Sequence, residues 1–245
     1  MSNQPFQWTA TQEQVSNLNA TIIKPHSTIV PTEMIVLCHG YGAPGDDLVG
    51  IADPLIRELQ KKQRNPILVF PEAPVDLEDY GMPGGRAWWP LNMARLMELA
   101  AKNDFSEMRS EVPPGIDDAR SMLVEFTQEL MNRFSIDEAK LTLGGFSQGA
   151  MLAVDAALRG LDKAPAHLAV MSGALICEPI WRAAAGRLET MKVIQTHGRF
   201  DTILPIQTGR WLNSLFRDSC RQATFHEFDG PHTIPMQAIE MIAES

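Results

Sequence analysis

Residues 141 to 149 read Leu-Thr-Leu-Gly-Gly-Phe-Ser-Gln-Gly, and a helix-competent segment from Ala150 to Arg159 follows directly. The last five residues of this stretch, Gly145 to Gly149, match the pattern G-x-S-x-G. In that pattern a serine stands on a sharp turn between a strand and a helix, where its hydroxyl is lifted clear of the sheet. The glycines allow the turn because they carry no Cβ atom. The stretch therefore predicts a strand, a tight turn carrying Ser147, and a helix.

A base should stand beside this serine, because an ordinary serine hydroxyl is a weak nucleophile and needs a base that a carboxylate orients. On scaffolds that carry such a turn, the chain order is Ser, then Asp or Glu, then His. The chain has six histidines: His26, His39, His167, His197, His226 and His232. His226 falls within an alternating strand, whereas His232 follows that strand on a turn. We therefore predict His232 as the base.

The orienting acid should lie between the serine and the base. The aspartates in this interval include Asp155, Asp162, Asp201, Asp218 and Asp229. Asp155 falls within a predicted helix, Asp162 after it and Asp218 at the end of another. Asp229 is too close in sequence to the base to reach around its ring. Asp201 follows a predicted strand at its carboxyl end, so we predict Asp201 as the acid. The alternative is an aspartate of a surface turn.

An oxyanion hole requires two backbone N–H groups aimed at the charge that develops on the carbonyl oxygen. One N–H group is expected from Gln148, which follows the serine. The other is expected from Tyr41, in the stretch Cys-His-Gly-Tyr-Gly at 38–42 that follows an early strand. For the His39 side chain we expect a structural hydrogen bond within this loop, with a second base as the alternative.

A competing motif overlaps this loop, because residues 40–45 also match G-x-G-x-x-G between a predicted strand and a predicted helix. Glu72, at the end of the next strand, stands where a ribose-binding acid would. However, Asp46 and Asp47 would repel a pyrophosphate at the helix N-terminus. A nicotinamide-dinucleotide-binding oxidoreductase therefore stays an alternative that leaves the serine motif unexplained. The chain has no H-E-x-x-H motif and no paired cysteines, so neither a metal nor a cofactor is expected.

The fold class follows from strand candidates that alternate with helical segments. Strands are expected at 34–38, 66–70, 141–143, 167–171, 192–196 and 223–228. Helices are expected at 47–62, 93–102, 116–133, 150–159, 207–218 and 234–243. This alternation predicts an α/β fold with a single, mostly parallel central sheet and helices on both faces. Residues 1–245 are expected to form one domain, in which about 72–115 form a long loop plus a helical insertion near the active site.

Composition limits the classes of partner and the compartment. The net charge of −9 disfavours nucleic acid and anionic membranes as partners. The three cysteines, Cys38, Cys177 and Cys220, form no C-x-x-C pair, which favours free thiols in a reducing compartment. The N-terminal residues carry neither a basic nor an apolar stretch, so no secretory signal is expected. No apolar run approaches the length of a membrane span. We therefore expect a cytoplasmic protein.

Several stretches together resemble one known family. They are Leu-Cys-His-Gly-Tyr-Gly at 37–42, Arg-Ala-Trp-Trp at 86–89, Gly-Gly-Phe-Ser-Gln-Gly at 144–149, His-Gly-Arg-Phe-Asp at 197–201 with Ile-Leu-Pro at 203–205, and Pro-His at 231–232. From about residue 20 to its C-terminus, the chain resembles the phospholipase/carboxylesterase family, which includes the acyl-protein thioesterases and belongs to the α/β-hydrolase superfamily.

The resemblance implies the α/β-hydrolase fold and a serine carboxylesterase that hydrolyses carboxylic esters or thioesters through an acyl-enzyme. It implies catalytic roles for Ser147, Asp201 and His232, and oxyanion roles for Tyr41 and Gln148. The segment 91–114 departs from the family because it is longer than in compact acyl-protein thioesterases, which favours a lid or an altered acyl pocket. A non-catalytic acyl- or lipid-binding protein on the same scaffold is the alternative.

Apolar residues around the long loop are candidates for the substrate pocket. We assign Trp88, Met82 and Leu91 to substrate binding, although a place in the core stays open for Trp88. For Trp89 and Met93 a place in the core is favoured. The expected partner is a small-molecule ester or thioester, with an acylated lipid or protein as alternatives, and a homodimer stays open.

Overall fold

An eight-stranded sheet forms the centre of the structure, a computed structural model that describes residues 8–26, 28–102 and 104–245. In chain order, the strands are β1 (Trp8–Val15), β2 (Leu18–Pro25), β3 (Met34–Cys38), β4 (Ile67–Pro71), β5 (Val75–Asp76), β6 (Arg86–Ala87), β7 (Leu141–Phe146), β8 (His167–Met171), β9 (Lys192–Gly198) and β10 (Gln222–Phe228). The order across the sheet is β1-β2-β4-β3-β7-β8-β9-β10, and β5 pairs with β6 separately. Neighbours run parallel from β4 to β10, whereas β2 is antiparallel to both β1 and β4.

In the described ranges, seven α-helices accompany these strands. They are α1 (Ala52–Lys61), α2 (Met93–Lys102), α3 (Ile116–Phe134), α4 (Gln148–Arg159), α5 (Glu178–Ala184), α6 (Ile206–Ser219) and α7 (Met236–Glu244). The helix expected at 47–62 is divided into a 3-10 turn, Asp47–Ile51, and α1. Pro54 lies in the first turn of α1, where its missing N–H group removes no helical hydrogen bond. None of the helices in the described ranges combines the length and apolar character needed to cross a membrane.

Both faces of the sheet are covered, because its central strands are apolar on both sides. In β3, Met34, Val36 and Cys38 pack on one face, while Ile35 and Leu37 pack on the other. Helices α3, α4, α5 and α6 bury apolar residues against the first face, and α1 and α7 bury theirs against the second. Helix α4 is buried from its first residue to Leu158. The predicted mostly parallel sheet with helices on both faces is therefore confirmed.

The predicted long loop and insertion at 72–115 contain more regular structure than a loop. Strands β5 and β6, helix α2 and the 3-10 turns Glu78–Tyr80 and Ser106–Ser110 lie within it. Leu99, Phe105 and Met108 of this segment belong to the main core, so apolar contacts anchor it to the sheet. The side chain of Met93, and residues 1–7 on which the signal-peptide expectation rests, lie outside the described part of the chain.

Candidate active site

The serine turn joins β7 to α4 and has the backbone shape expected of it. Ser147 has φ 54° and ψ −118°, an unfavourable region for a residue with a Cβ atom. The Ser147 N–H group donates to the Met171 carbonyl at 2.9 Å, which ties the turn to β8. A Cβ atom at Gly145 or Gly149 would overlap the Cys38 carbonyl oxygen. The two glycines are thus required because the turn packs directly against the end of β3.

Asp201 and His232 meet on the loops that leave the neighbouring strands β9 and β10. His232 Nδ1 lies 2.6 Å from Asp201 Oδ2, so its N–H group donates to the carboxylate. The other carboxylate oxygen, Oδ1, accepts the backbone N–H groups of Ile203 at 2.9 Å and Leu204 at 2.8 Å. This arrangement fixes the imidazole tautomer and leaves its Nε2 lone pair free to accept a proton.

The carboxylate of Asp201 is held in its ionised form. Its side chain is buried, and burial by itself would raise its pKa. Hydrogen bonds from His197 and His232 act in the opposite direction, and together with the backbone N–H groups they hold the pKa of Asp201 well below its usual range. A permanently charged acceptor therefore faces the His232 ring.

The His232 ring stands beside the serine turn. Its centroid lies 4.6 Å from that of Phe146, the residue immediately before Ser147, and 11% of its side chain is exposed. The loop that carries it packs on the Asp201 loop, where the Phe200 N–H group donates to the Gly230 carbonyl at 3.0 Å. The structure thus gathers the predicted acid, the predicted base and the elbow at the carboxyl end of the sheet, where ligands bind in such folds.

The loop after β3 lies directly against the serine. A Cβ atom built at Gly40 would stand 3.3 Å from Ser147 Cβ. Strand β6 fixes the position of this loop through two backbone hydrogen bonds. The Gly42 N–H group donates to the Arg86 carbonyl at 2.9 Å, and the Arg86 N–H group donates to the Ala43 carbonyl at 3.0 Å. Within the described residues, the N–H groups of Tyr41 and Gln148 have no backbone acceptor. Both are therefore available to a ligand oxygen.

The side chain of Gln148 has a structural role that the sequence did not indicate. Its Oε1 atom accepts the Trp88 N–H group at 2.9 Å, and its Nε2 atom donates to the Trp89 carbonyl at 2.8 Å. The Trp88 indole N–H group in turn donates to the His39 carbonyl at 2.9 Å. Gln148, which is buried, therefore links the start of α4 to the segment after β6 and to the loop after β3.

Comparison with known proteins shows the family of the chain. A family model described as Phospholipase/Carboxylesterase matches residues 17–245. The chain belongs to the phospholipase/carboxylesterase family. Acyl-protein thioesterase 1 of Candida albicans is 27% identical over 209 residues, which cover 80% of this chain and 82% of that protein. Family membership supports a hydrolase that acts on esters or thioesters.

Solved structures agree on the fold of this family member. The crystal structure of esterase PE8 matches with a TM-score of 0.71 at 23% identity and covers 97% of each chain. Acyl-protein thioesterase 2 of Zea mays matches with a TM-score of 0.64 at 19% identity, covering 92% of this chain and 96% of that one. The predicted α/β-hydrolase fold is confirmed.

The three residues assigned to substrate binding lie in different surroundings. Met82 is 40% exposed and packs over Gly42, so its side chain borders the loop that carries Tyr41. Leu91 is half-buried against the main core, and the Tyr41 phenol approaches its backbone. Trp88 is only 2% exposed. Met82 and Leu91 are thus at least partly accessible, whereas Trp88 is buried and hydrogen-bonded to Gln148 and His39.

Residues proposed for alternative roles are already engaged. His39 Nδ1 lies 2.8 Å from the Gly40 carbonyl, and its Nε2 atom accepts the Ala73 N–H group at 3.0 Å. Burial lowers the pKa of His39, so its ring serves the loop as a neutral hydrogen-bonding group. Glu72, the candidate ribose-binding acid, pairs with Arg86 at 2.5 Å.

Proposed function

We propose that this protein is a serine hydrolase that forms an acyl-enzyme on Ser147. One observation carries the proposal: the 2.6 Å contact between Asp201 and His232 lies beside the strained turn on which Ser147 stands. A buried carboxylate that orients an imidazole next to an elbow serine is the arrangement that activates a hydroxyl for attack on a carbonyl carbon.

In the first half-reaction, Ser147 Oγ attacks the carbonyl carbon while His232 Nε2 takes the hydroxyl proton. The carbonyl oxygen gains negative charge and accepts hydrogen bonds from the Tyr41 and Gln148 N–H groups. The bond to the leaving oxygen or sulfur then breaks, and His232 returns the proton to that atom. In the second half-reaction, water attacks the acyl carbon while His232 takes a proton from it. The bond to Ser147 Oγ then breaks, His232 returns the proton to Oγ, and the carboxylic acid leaves. Asp201 stays ionised throughout and stabilises the imidazolium.

The substrate class follows from the surface around the serine. Met82 borders the Tyr41 loop, and Phe200 and Ile203, on the Asp201 loop, are 65% and 59% exposed. Exposed apolar side chains on the loops that carry Tyr41 and Asp201 suit an ester or thioester with an apolar acyl group. We propose a small-molecule ester or thioester, with acylated lipid and acylated protein as further candidates. Activity against a chain-length series of paired acyl esters and acyl thioesters distinguishes these substrates.

The cellular setting is proposed from the cysteines. Cys38, Cys177 and Cys220 are all free thiols, which suits a reducing compartment such as the cytoplasm. Fractionation of cells that express the protein tests this location. Light scattering during size-exclusion chromatography decides between a monomer and a homodimer.

The test of the enzymatic proposal is hydrolysis of p-nitrophenyl acetate by the Ser147→Ala variant. We expect kcat to fall by a factor on the order of 10⁶, as when the nucleophile of a catalytic triad is removed. Ser121→Ala, on the exposed side of α3, is the matched control and should retain full activity. A Ser147→Ala variant that keeps most of the wild-type rate would refute the proposal.

A further inference from the structure

His197 lies at the end of β9, four residues before Asp201, and is fully buried. Its Nε2 atom lies 2.7 Å from the Leu204 carbonyl oxygen and 3.3 Å from Asp201 Oδ2. The same carboxylate oxygen accepts the His232 N–H group at 2.6 Å. Asp201 Oδ2 therefore faces two imidazoles, of which only His232 has a place in the mechanism described above.

The surroundings of the His197 ring determine which nitrogen carries the hydrogen. Both neighbours of Nε2 are oxygen atoms that only accept, namely a backbone carbonyl and an ionised carboxylate. Nε2 is therefore the protonated nitrogen, and its hydrogen is shared between the two acceptors. Nδ1 is buried and has no hydrogen-bond partner among the described residues. A hydrogen on Nδ1 would have no acceptor, so the tautomer is fixed.

Packing also fixes the orientation of the ring. Gly209 of α6 lies against it so closely that a Cβ atom at this position would overlap His197 Nδ1. The ring is thus clamped between α6 on one side and the Asp201 loop on the other. Its N–H group cannot turn away from Leu204 and Asp201 without a movement of α6.

The His197 N–H group completes a ring of hydrogen bonds that includes Leu204 and the Asp201 carboxylate. Leu204 accepts from His197 through its carbonyl and donates to Asp201 Oδ1 through its N–H group. One carboxylate oxygen is therefore held by two backbone N–H groups, and the other by two imidazole N–H groups. A carboxylate held in this way cannot rotate out of line with the Nδ1 atom of His232.

We propose that His197 is a positioning residue, which holds Asp201 and its loop in the orientation that aligns His232 with Ser147. This role rests on the proposed serine hydrolase function, and His197 itself does not touch the substrate. Because its effect passes through Asp201 to the proton transfer, it should influence kcat far more than KM.

The decisive experiment compares His197→Gln with His197→Met by steady-state hydrolysis of p-nitrophenyl acetate. The two side chains have the same length, but only glutamine keeps an N–H donor near the position of Nε2. A hydrogen bond to a charged group is worth about tenfold or more in an equilibrium. Its loss lets Asp201 leave the orientation that aligns His232 for proton transfer, so His197→Met should lose about tenfold in kcat with KM nearly unchanged. His197→Gln should recover most of the loss.

A purely structural role is distinguished by proton NMR of the hydrogen between His232 Nδ1 and Asp201 Oδ2. This downfield resonance should shift or broaden in His197→Met and return in His197→Gln. In the unaltered protein, ¹⁵N spectra should show His197 protonated on Nε2, a measurement that needs no variant to fold. Protonation on Nδ1, or a His197→Met kcat within twofold of the wild type, would overturn the proposal. Full hydrolysis by Ser147→Ala would instead overturn the enzymatic function itself.

Discussion

Replacement of Asp201 by asparagine is the perturbation whose outcome the geometry determines most closely. The two sides of the carboxylate are not equivalent, because Oδ1 accepts the N–H groups of Ile203 and Leu204 while Oδ2 faces His232. In Asp201→Asn, the amide oxygen takes the Oδ1 side, because an NH₂ group there would face two backbone N–H groups, which always donate. On the Oδ2 side the NH₂ group meets one fixed donor, the His197 N–H group, and the His232 ring, which can change its tautomer. The NH₂ group is then directed at the His232 ring.

The magnitude follows from the tautomer that this amide imposes. An NH₂ group beside His232 favours an unprotonated Nδ1 and moves the ring hydrogen to Nε2, the atom that must accept the serine proton. Such a wrong tautomer lowers kcat by a factor of about 10⁴, or about 5 kcal/mol of transition-state stabilisation. The reverse orientation of the amide is disfavoured, because it leaves two backbone N–H groups opposite an NH₂ group, at a cost of about 1–3 kcal/mol for each unpaired group.

The assay is steady-state hydrolysis of p-nitrophenyl acetate, accompanied by urea unfolding to establish that the variant is folded. Asp162→Asn, at an exposed turn after α4, is the matched control and should keep the wild-type kcat. A folded Asp201→Asn variant whose kcat falls by less than tenfold would refute the role assigned to the carboxylate, because the geometry then fails to control the tautomer.

Three further changes test other parts of the structure. Gln148→Met should lower the free energy of unfolding by about 3 kcal/mol, because it leaves the buried Trp88 N–H group and the buried Trp89 carbonyl unpaired. Urea denaturation measures this change, and Gln237→Met, at an exposed position, is the control. Asp155→Ala should lower the free energy of unfolding, also measured in urea, by about 3 kcal/mol, because the buried carboxylate pairs with two arginines and a tryptophan. The kcat of the folded variant should stay within about twofold of the wild-type value. Burial, with nearby Lys192 and Arg64, lowers the pKa of His167 from 6.5 to about 4. In the unfolded chain this ring takes up a proton near pH 6.5, so stability should fall between pH 6.5 and 4, and His167→Gln should reduce the slope of urea midpoints against pH.

The sequence predicts the parallel strands β3, β4, β7, β8, β9 and β10 and the serine turn because their signals are local. Strand β3 is a continuous apolar run, and the G-x-S-x-G pattern marks the end of β7. Asp201 and His232 could be paired before the structure was known because their loops leave strands at the same edge of a parallel sheet. The Oδ2–Nδ1 distance itself depends on packing between the two loops.

The β1–β2 hairpin was not predicted, and the reason is physical. Strand β1 reads Trp-Thr-Ala-Thr-Gln-Glu-Gln-Val, and only Val15 at its end is buried. An edge strand of this kind is stabilised by its ladder with β2 rather than by burial of its own side chains, so it lacks the apolar signal of the inner strands. In β2, the neighbouring pair Ile22 and Ile23 was the available signal.

The supporting hydrogen bonds of the site could not be derived from the sequence either. Gln148 lies 60 residues from Trp88 along the chain, and no periodicity links them. For His197 a signal was present, because it precedes Asp201 by four residues at the end of a predicted strand. The sequence could not show that Gly209 packs against the His197 ring and so directs it toward the carboxylate.

The central claim is that Ser147 is the nucleophile, and covalent labelling tests it most directly. A fluorophosphonate should react once with the wild-type chain, forming a bond between Ser147 Oγ and phosphorus while fluoride leaves and His232 takes the proton. Intact-mass and peptide mass spectrometry should place the single adduct on the peptide that contains Ser147. Ser147→Ala should remain unlabelled under the same conditions. An adduct on another residue, or equal labelling of Ser147→Ala, would contradict the account.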